Sequence, residues 1–170
     1  WADTDDDLPE DSTQWSDIDG DGYGDNPQGN TPDACVDIPG YSVLDRYGCP
    51  DPDNDGYSSE DSDWKIEDGA DVFPLDETQW SDWDEDGVGD NYGNLSWIDR
   101  NLNWPGEYYQ YARDQDSCPT LPGTSWQDDI LGCPDSDGDG WANFMDAFPA
   151  DANEYIDSDK DGVADGADDC

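Results

Sequence analysis

Five times this chain repeats one six-residue phrase, Asp-x-Asp-x-Asp-Gly, starting at Asp17, Asp51, Asp82, Asp135 and Asp157. The phrase restricts the backbone strongly. Carboxylates at places one, three and five curl round a hard cation, and the glycine at six permits a sharp turn. With Asp at roughly a quarter of positions and Gly at roughly a tenth, random order gives on the order of 0.2 copies. The phrase is therefore not a by-product of composition, and it points to calcium.

The rest of the composition sharpens this reading. There are 47 acidic residues against 5 basic ones, no histidine, and a formal charge of -42. Such charge with little hydrophobic content ordinarily defeats collapse. Here, however, the acids are phased on glycines, and nine Trp and nine Tyr accompany them. A chain disordered without metal and ordered once divalent ions neutralise it is expected, so that metal binding is folding free energy. With 32% hydrophobic residues, several small metal-stapled units are expected in place of one large core. The charge excludes nucleic acid as a partner. No apolar run approaches the roughly 20 residues of a membrane span, so direct membrane insertion is not expected.

The cysteines are Cys35, Cys49, Cys118, Cys133 and Cys170. Cys35 with Cys49 and Cys118 with Cys133 each enclose a Pro-Gly turn, and the short spacings of zinc sites are missing. Two disulfides, Cys35–Cys49 and Cys118–Cys133, in an oxidising, extracellular setting are the expectation.

Self-alignment gives the organisation. Residues 9–26 (PEDSTQWSDIDGDGYGDN) match 74–91 (PLDETQWSDWDEDGVGDN) and, more loosely, 149–166. Residues 39–57 (PGYSVLDRYGCPDPDNDGY) match 122–141 (PGTSWQDDILGCPDSDGDGW). The expected fold is an irregular, loop-rich, elongated array stapled by calcium and disulfides, with little regular secondary structure and short helical turns, one of them at 142–148. Residues 1–170 read as a single array: a partial unit at 1–35, a unit at 36–118 with an aromatic spacer at 92–117, and a unit at 119–170 open at its C-terminus. In this frame Trp1 aligns with Trp141 and Asp6 with Asp146, while Cys170 begins a cysteine pair. The array is therefore expected to continue into a longer chain or into neighbouring copies of itself.

The ligands follow from place in the loop. Places one, three and five are Asp17, Asp19 and Asp21; Asp51, Asp53 and Asp55; Asp82, Asp84 and Asp86; Asp135, Asp137 and Asp139; Asp157, Asp159 and Asp161. Place seven supplies a backbone carbonyl from Tyr23, Tyr57, Val88, Trp141 and Val163, whose side chains are expected to pack outside the loop as local core. Place nine holds Asp25, Ser59, Asp90, Asn143 and Asp165. Place twelve is acidic only at Asp146 and Asp168; Gln28, Ser62 and Gly93 occupy it elsewhere. Those three loops need a distant acid: Asp33 for the first, Asp61, Asp63, Asp68 or Asp71 for the second, and Asp114 or Asp116 for the third. At least five calcium ions are expected, since all-oxygen sites rich in protein ligands suit calcium better than magnesium.

Residues 157–170 (DSDKDGVADGADDC) fit the pattern D-x-D-x-D-G-x-x-D-x-x-D-x-C, and Gly-Cys-Pro-Asp-x-Asp-x-Asp-Gly blocks begin at Gly48 and Gly132. In these features the chain resembles the thrombospondin type 3-like repeats of bacterial and archaeal surface proteins, over most of its length except 92–117. The resemblance implies a calcium-wrapped, disulfide-pinned extracellular stalk. The long spacers and missing twelfth acids depart from the family's pattern.

The first functional expectation is thus an extracellular structural segment or subunit of a cell-surface stalk, adhesin or fibre, made rigid by calcium. The second is a carbohydrate- or protein-binding module that uses the aromatic spacer, with surface glycans as partners. Asn94, in Asn-Leu-Ser, is a candidate glycosylation site. A dockerin-like reading lacks its amphipathic helices. With no histidine there is no Ser-His-Asp or Cys-His arrangement, and paired acids carry no information in so acidic a chain, so no enzyme is expected.

Overall fold

The computed structural model describes residues 5–93 and 104–167. Among these there is no α-helix and no β-strand. Order comes from turns, from the single-turn 3₁₀ segments Ile66–Asp68 and Gln127–Asp129, and from six isolated parallel bridges. The loop-rich expectation holds. At 142–148 there is a hydrogen-bonded turn and no helix: Met145 and Asp146 N–H both donate to the Ala142 carbonyl, at 2.7 and 3.1 Å. It ends there because the Asp146 carboxylate takes the Phe148 N–H at 2.7 Å and Pro149 follows.

The interior is inverted relative to an ordinary small domain. The buried apolar residues among those described are all small: Cys49, Ala70, Cys133, Ala142 and Ala164. The largest fully buried side chains are Asn91, Thr78, Asp71, Asp90 and Asp116. At three of the five seventh places aromatic rings pack beside the loops: Tyr57 stacks on Trp80 (5.1 Å), Trp141 on Tyr155 (4.7 Å), and Tyr23 tilts on Tyr47 (5.8 Å); Val163, expected to join such a local core, is instead exposed. The rings cover the loops without forming a sealed apolar centre.

Chain contacts divide the protein into two compact units, Trp1–Trp80 and Ser81–Cys170. The division falls inside the 36–118 unit of the sequence reading. In the first, a loop at Asp17 leads through a spacer to the Cys35–Cys49 disulfide and then to a loop at Asp51. In the second, a loop at Asp82 leads through a longer spacer to Cys118–Cys133 and a loop at Asp135, with a further loop at Asp157.

The disulfide blocks are alike in detail. Ala34 N–H donates to the Tyr47 carbonyl and Ser117 N–H to the Leu131 carbonyl, both at 2.9 Å. The Ser42 and Ser125 hydroxyls, both buried, accept the N–H of Cys49 and Cys133 at 3.0 Å. The Pro-Gly turn needs its glycine for space: a Cβ on Gly40 or Gly123 would lie 1.9 Å from the carbonyl carbon of Cys49 or Cys133. Two intact disulfides mark an oxidising compartment. No helix of the described residues is long and apolar enough to cross a membrane.

Candidate metal centres

Each phrase folds into the same loop. The first carboxylate turns back on its own backbone, its two oxygens accepting the N–H of places four and six. For Asp17 these are Gly20 and Gly22 (2.8 and 3.0 Å), for Asp82 they are Glu85 and Gly87 (both 2.8 Å), and Asp51, Asp135 and Asp157 repeat the pattern. The fifth-place carboxylate accepts the N–H of place seven, as in Asp21 from Tyr23 at 2.8 Å. These bonds force the backbone through a left-handed residue at place four (Gly20, Asn54, Glu85, Gly138, Lys160) and again at place six, with φ between 90° and 100° at Gly22, Gly56, Gly87, Gly140 and Gly162. A Cβ on Gly22, Gly87 or Gly162 would meet nothing within 4 Å, so glycine is required there by the dihedral and not by space. In all five loops the three carboxylates bring one oxygen each within 4.8 Å of one another.

In four of the loops a fourth acid completes the site, and its delivery is uniform. Asp146 N–H donates to the carbonyl of place eight, Ala142, by a local turn (3.1 Å). In the loops at Asp17, Asp51 and Asp82 the same bond is made after an insertion. Asp33 N–H reaches the Gly24 carbonyl, Asp71 N–H the Ser58 carbonyl and Asp116 N–H the Gly89 carbonyl, at 2.9, 2.9 and 2.8 Å. The spacers are thus excursions between place eight and the closing acid. One oxygen of each closing acid is then tied by an N–H two residues on, from Cys35, Phe73, Cys118 and Phe148, all at 2.7 Å. The other oxygen, Oδ2 in all four, is buried with no donor in hydrogen-bonding geometry.

This resolves the candidates for the distant ligand. Asp33 closes the first loop. Asp71, at 2% exposure, closes the second. Asp61 does not, because its carboxylate is paired with Arg46 at 2.7 Å; Asp63 is exposed, and Asp68 accepts the Lys65 N–H. Asp116, fully buried, closes the third, while Asp114 lies exposed in a left-handed turn. The signal available in sequence was the residue two places on: each closing acid precedes Cys or Phe by one intervening residue. Leu8 N–H on Asp6 (3.0 Å) repeats that turn.

Place nine plays a second part. Asp25, Asp90, Asn143 and Asp165 each accept the N–H of place two, from Ile18, Trp83, Ser136 and Ser158. The second loop has Pro52 at place two and so no N–H to cap, and its ninth residue is Ser59. Asp90 keeps Oδ1 buried and without a donor.

The electrostatics state the same need. Burial, reinforced by its neighbours Asp86, Asp84 and Asp90, pushes Asp116 up to about 8. Burial likewise raises Asp55 and Asp71 to about 7, and Asp33 and Asp90 to about 6, each among other carboxylates. Carboxylates taken from water without donors and crowded together favour the neutral form unless a cation replaces the lost solvation. The donor set is all oxygen, which suits a hard cation such as calcium.

Two residues that sequence reasoning missed hold the spacers. Buried Gln14 donates Nε2–H to the Asn26 and Asn30 carbonyls (3.2 and 3.0 Å), and its Oε1 accepts the Asn26 N–H. Arg46 spans the Ser58 hydroxyl, the Ser59 carbonyl and Asp61, and lies 5.2 Å from the Trp64 ring centroid. In the third spacer Trp104 Nε1–H donates to the Asp90 carbonyl at 2.8 Å and its ring meets Tyr92, while Tyr108 and Tyr111 are exposed. Asn94, Asp168 and Cys170 lie outside the described residues.

A scan for known protein families returns no match to this chain, and no curated protein matches it.

Proposed function

We propose that this is an extracellular, calcium-binding structural repeat protein, in which ions at the five Asp triplets take the place of an apolar core and stiffen a stalk, adhesin or fibre. The observation that carries the reading is the set of closing acids. Asp33, Asp71, Asp116 and Asp146 each keep an oxygen buried and without a donor, delivered to the loop by the same backbone bond whatever the spacer length. Asp17, Asp19, Asp21 and Asp33 would hold the first ion, and Asp51, Asp53, Asp55 and Asp71 the second. Asp82, Asp84, Asp86, Asp90 and Asp116 would hold the third, and Asp135, Asp137, Asp139 and Asp146 the fourth. Asp157, Asp159 and Asp161 belong to the fifth. Calcium supplies positive charge and an accommodating oxygen coordination, and the chain supplies the cage.

Similarity to thrombospondin type 3-like arrays supports the same reading, as do the two disulfides. Extracellular calcium is plentiful enough for modules of about 10⁻⁴–10⁻³ M affinity. The test is small-angle scattering and hydrogen exchange of the full chain in calcium and in excess chelator. Expansion and loss of protection on chelation are expected; a chain equally compact and protected in both overturns the proposal. A second reading, a carbohydrate-binding module, has the exposure of Tyr108 and Tyr111 in its favour. Glycan-array binding abolished by Tyr111→Ala would support it.

A further inference from the structure

Nine Asp–Gly steps occur in the sequence, all of them within the described residues. Such steps share a latent reaction. With no Cβ on the glycine, its backbone nitrogen can swing onto the carboxyl carbon, Cγ, of the preceding Asp. The attack needs a nitrogen able to give up its proton and a carboxyl free to turn towards it.

Seven of the steps lie in the triplets, at places three or five, and there the loop holds the nitrogen. In each, the glycine N–H donates to the first carboxylate of its loop, as Gly22 does to Asp17 at 3.0 Å and Gly56 to Asp51 at 2.9 Å. An anionic acceptor keeps the proton on the nitrogen and fixes its direction. At the eighth step, Asp165–Gly166, the carboxylate is held. Ser158 gives its N–H to one oxygen and its hydroxyl to the other, at 2.7 and 2.6 Å.

Asp68–Gly69 is the ninth, and it has neither restraint. Both residues are exposed. They end the single-turn segment Ile66–Asp68, which buries no residue, and the Gly69 N–H donates to a neutral carbonyl, that of Ile66, at 3.0 Å. The Asp68 carboxylate accepts the Lys65 N–H at 3.2 Å through Oδ2. A lone exposed 3₁₀ turn opens at small cost.

We propose that Asp68–Gly69 is a site of spontaneous isoaspartate formation in the folded protein, and that the Asp–Gly steps of the triplets become such sites only when their loops open. The Gly69 nitrogen bonds to Asp68 Cγ, and the carboxyl hydroxyl leaves as water with the amide proton. Water then reopens the cyclic imide. Opening at the former main-chain carbonyl leaves the chain running through Cβ and frees a carboxylate on Cα. One water is lost and one gained, and nothing is oxidised or reduced. The product lengthens the backbone by one methylene within the spacer that delivers Asp71 to the Ser58 carbonyl.

The test is ageing of the oxidised full chain at neutral pH and physiological temperature in calcium, in excess chelator, and in chelator with concentrated urea. Peptide mapping with electron-transfer fragmentation tells isoaspartate from aspartate at each step. In calcium, Asp68 should convert at least about tenfold faster than any other Asp–Gly step, the factor that each 1.4 kcal/mol of loop closure supplies. In urea the other steps should convert at rates comparable with Asp68. Asp68→Glu keeps a carboxylate near the Lys65 N–H but disfavours ring closure, and should abolish modification at that step. Triplet steps that keep pace with Asp68 in calcium overturn the proposal, as does an unmodified Asp68 while the urea-treated chain converts. Faster conversion of the triplet steps in chelator supports both this proposal and the calcium reading. An identical pattern in calcium and chelator supports the assignment to Asp68 and counts against the calcium reading alone.

Discussion

Replacing Asp116 by Asn should stabilise the metal-free protein and weaken the metal-loaded one. The amide keeps the side chain's shape, and its oxygen can still accept the Cys118 N–H that Oδ1 accepts at 2.7 Å. What it removes is the charge carried by the buried, undonated Oδ2. Without metal that charge is a liability. Burial and like-charged neighbours raise Asp116 from its ordinary 3.8 to about 8. An acid raised on folding costs nothing below pH 3.8, costs progressively more as pH rises, and reaches its full penalty above about 8. At pH 7 the interval from 3.8, at 1.36 kcal/mol per unit, gives an upper value of about 4 kcal/mol; at pH 5 it gives about 2 kcal/mol.

With calcium bound the sign reverses, because the same oxygen becomes a charged ligand and its loss should weaken the third site by about tenfold or more, at least about 1.4 kcal/mol. Urea unfolding followed by tryptophan fluorescence, in excess chelator and in saturating calcium at pH 5 and pH 7, reads both arms. The expected result is a higher midpoint than wild type in chelator, more so at pH 7, and a lower one in calcium. Should wild type show no transition in chelator, the gain appears as a transition recovered in the variant. A variant destabilised equally in chelator and calcium refutes the reasoning, since Asp116 would then be holding the backbone and nothing else.

Under conditions where the metal-free chain stays folded, calcium binding should release protons: at pH 7 Asp116 gives up most of one and Asp55 and Asp71 about half each, so roughly two per chain, falling towards zero by about pH 9. Calorimetry in buffers of different ionisation enthalpy measures this, and affinity should rise with pH up to about 8 and then level. Gly87→Ala meets no atom within 4 Å but sits at φ 91°, so it should cost about 1–2 kcal/mol of backbone strain, read as a roughly tenfold weaker third site in a calcium titration. Replacing both Cys35 and Cys49 by Ser opens a loop of sequence separation 14 and should lower stability in calcium by about 3 kcal/mol, measured by chemical denaturation. Gln14→Ala strands the Asn26 N–H and the Asn30 carbonyl, the Asn26 carbonyl keeping the Gly29 N–H, and should cost about 1–3 kcal/mol; hydrogen exchange at Asn26 and Asn30 locates the loss.

How far the structure could be read from sequence depended on whether its parts were local. The triplets and their glycines are local, because the Asp17 carboxylate bonds only as far as Gly22, and a six-residue phrase contains those bonds whole. The disulfides were legible because the two blocks repeat around their cysteines. The closing acids were harder. Where the acid follows its loop directly, as Asp146 does, counting finds it. Where a spacer intervenes, position counting lands on Gln28, Ser62 or Gly93, and composition offers too many acids to choose among. The choice of Asp71 over Asp61 depends on Arg46, from a different stretch of chain, capturing Asp61 at 2.7 Å. Gln14 was unreadable for the same reason: its partners Asn26 and Asn30 lie across the loop, and nothing in TQW marks a glutamine for burial.

The inverted interior also explains why the spacers can differ so much in length. In a domain held by apolar packing, an insertion must preserve a shared core. Here each closing acid needs only one backbone bond to place eight and one turn to the following Cys or Phe. Lengthening the excursion then adds mainly closure entropy, about 0.6 kcal/mol for each doubling. The loop at Asp82 closes the longest excursion of those described, so its ion has the largest entropic cost to offset. A graft of the short 27–32 spacer into the third site, in place of 92–115, should therefore preserve calcium binding there and tighten it modestly. Loss of that site on shortening would mean that the aromatic spacer is part of the cage.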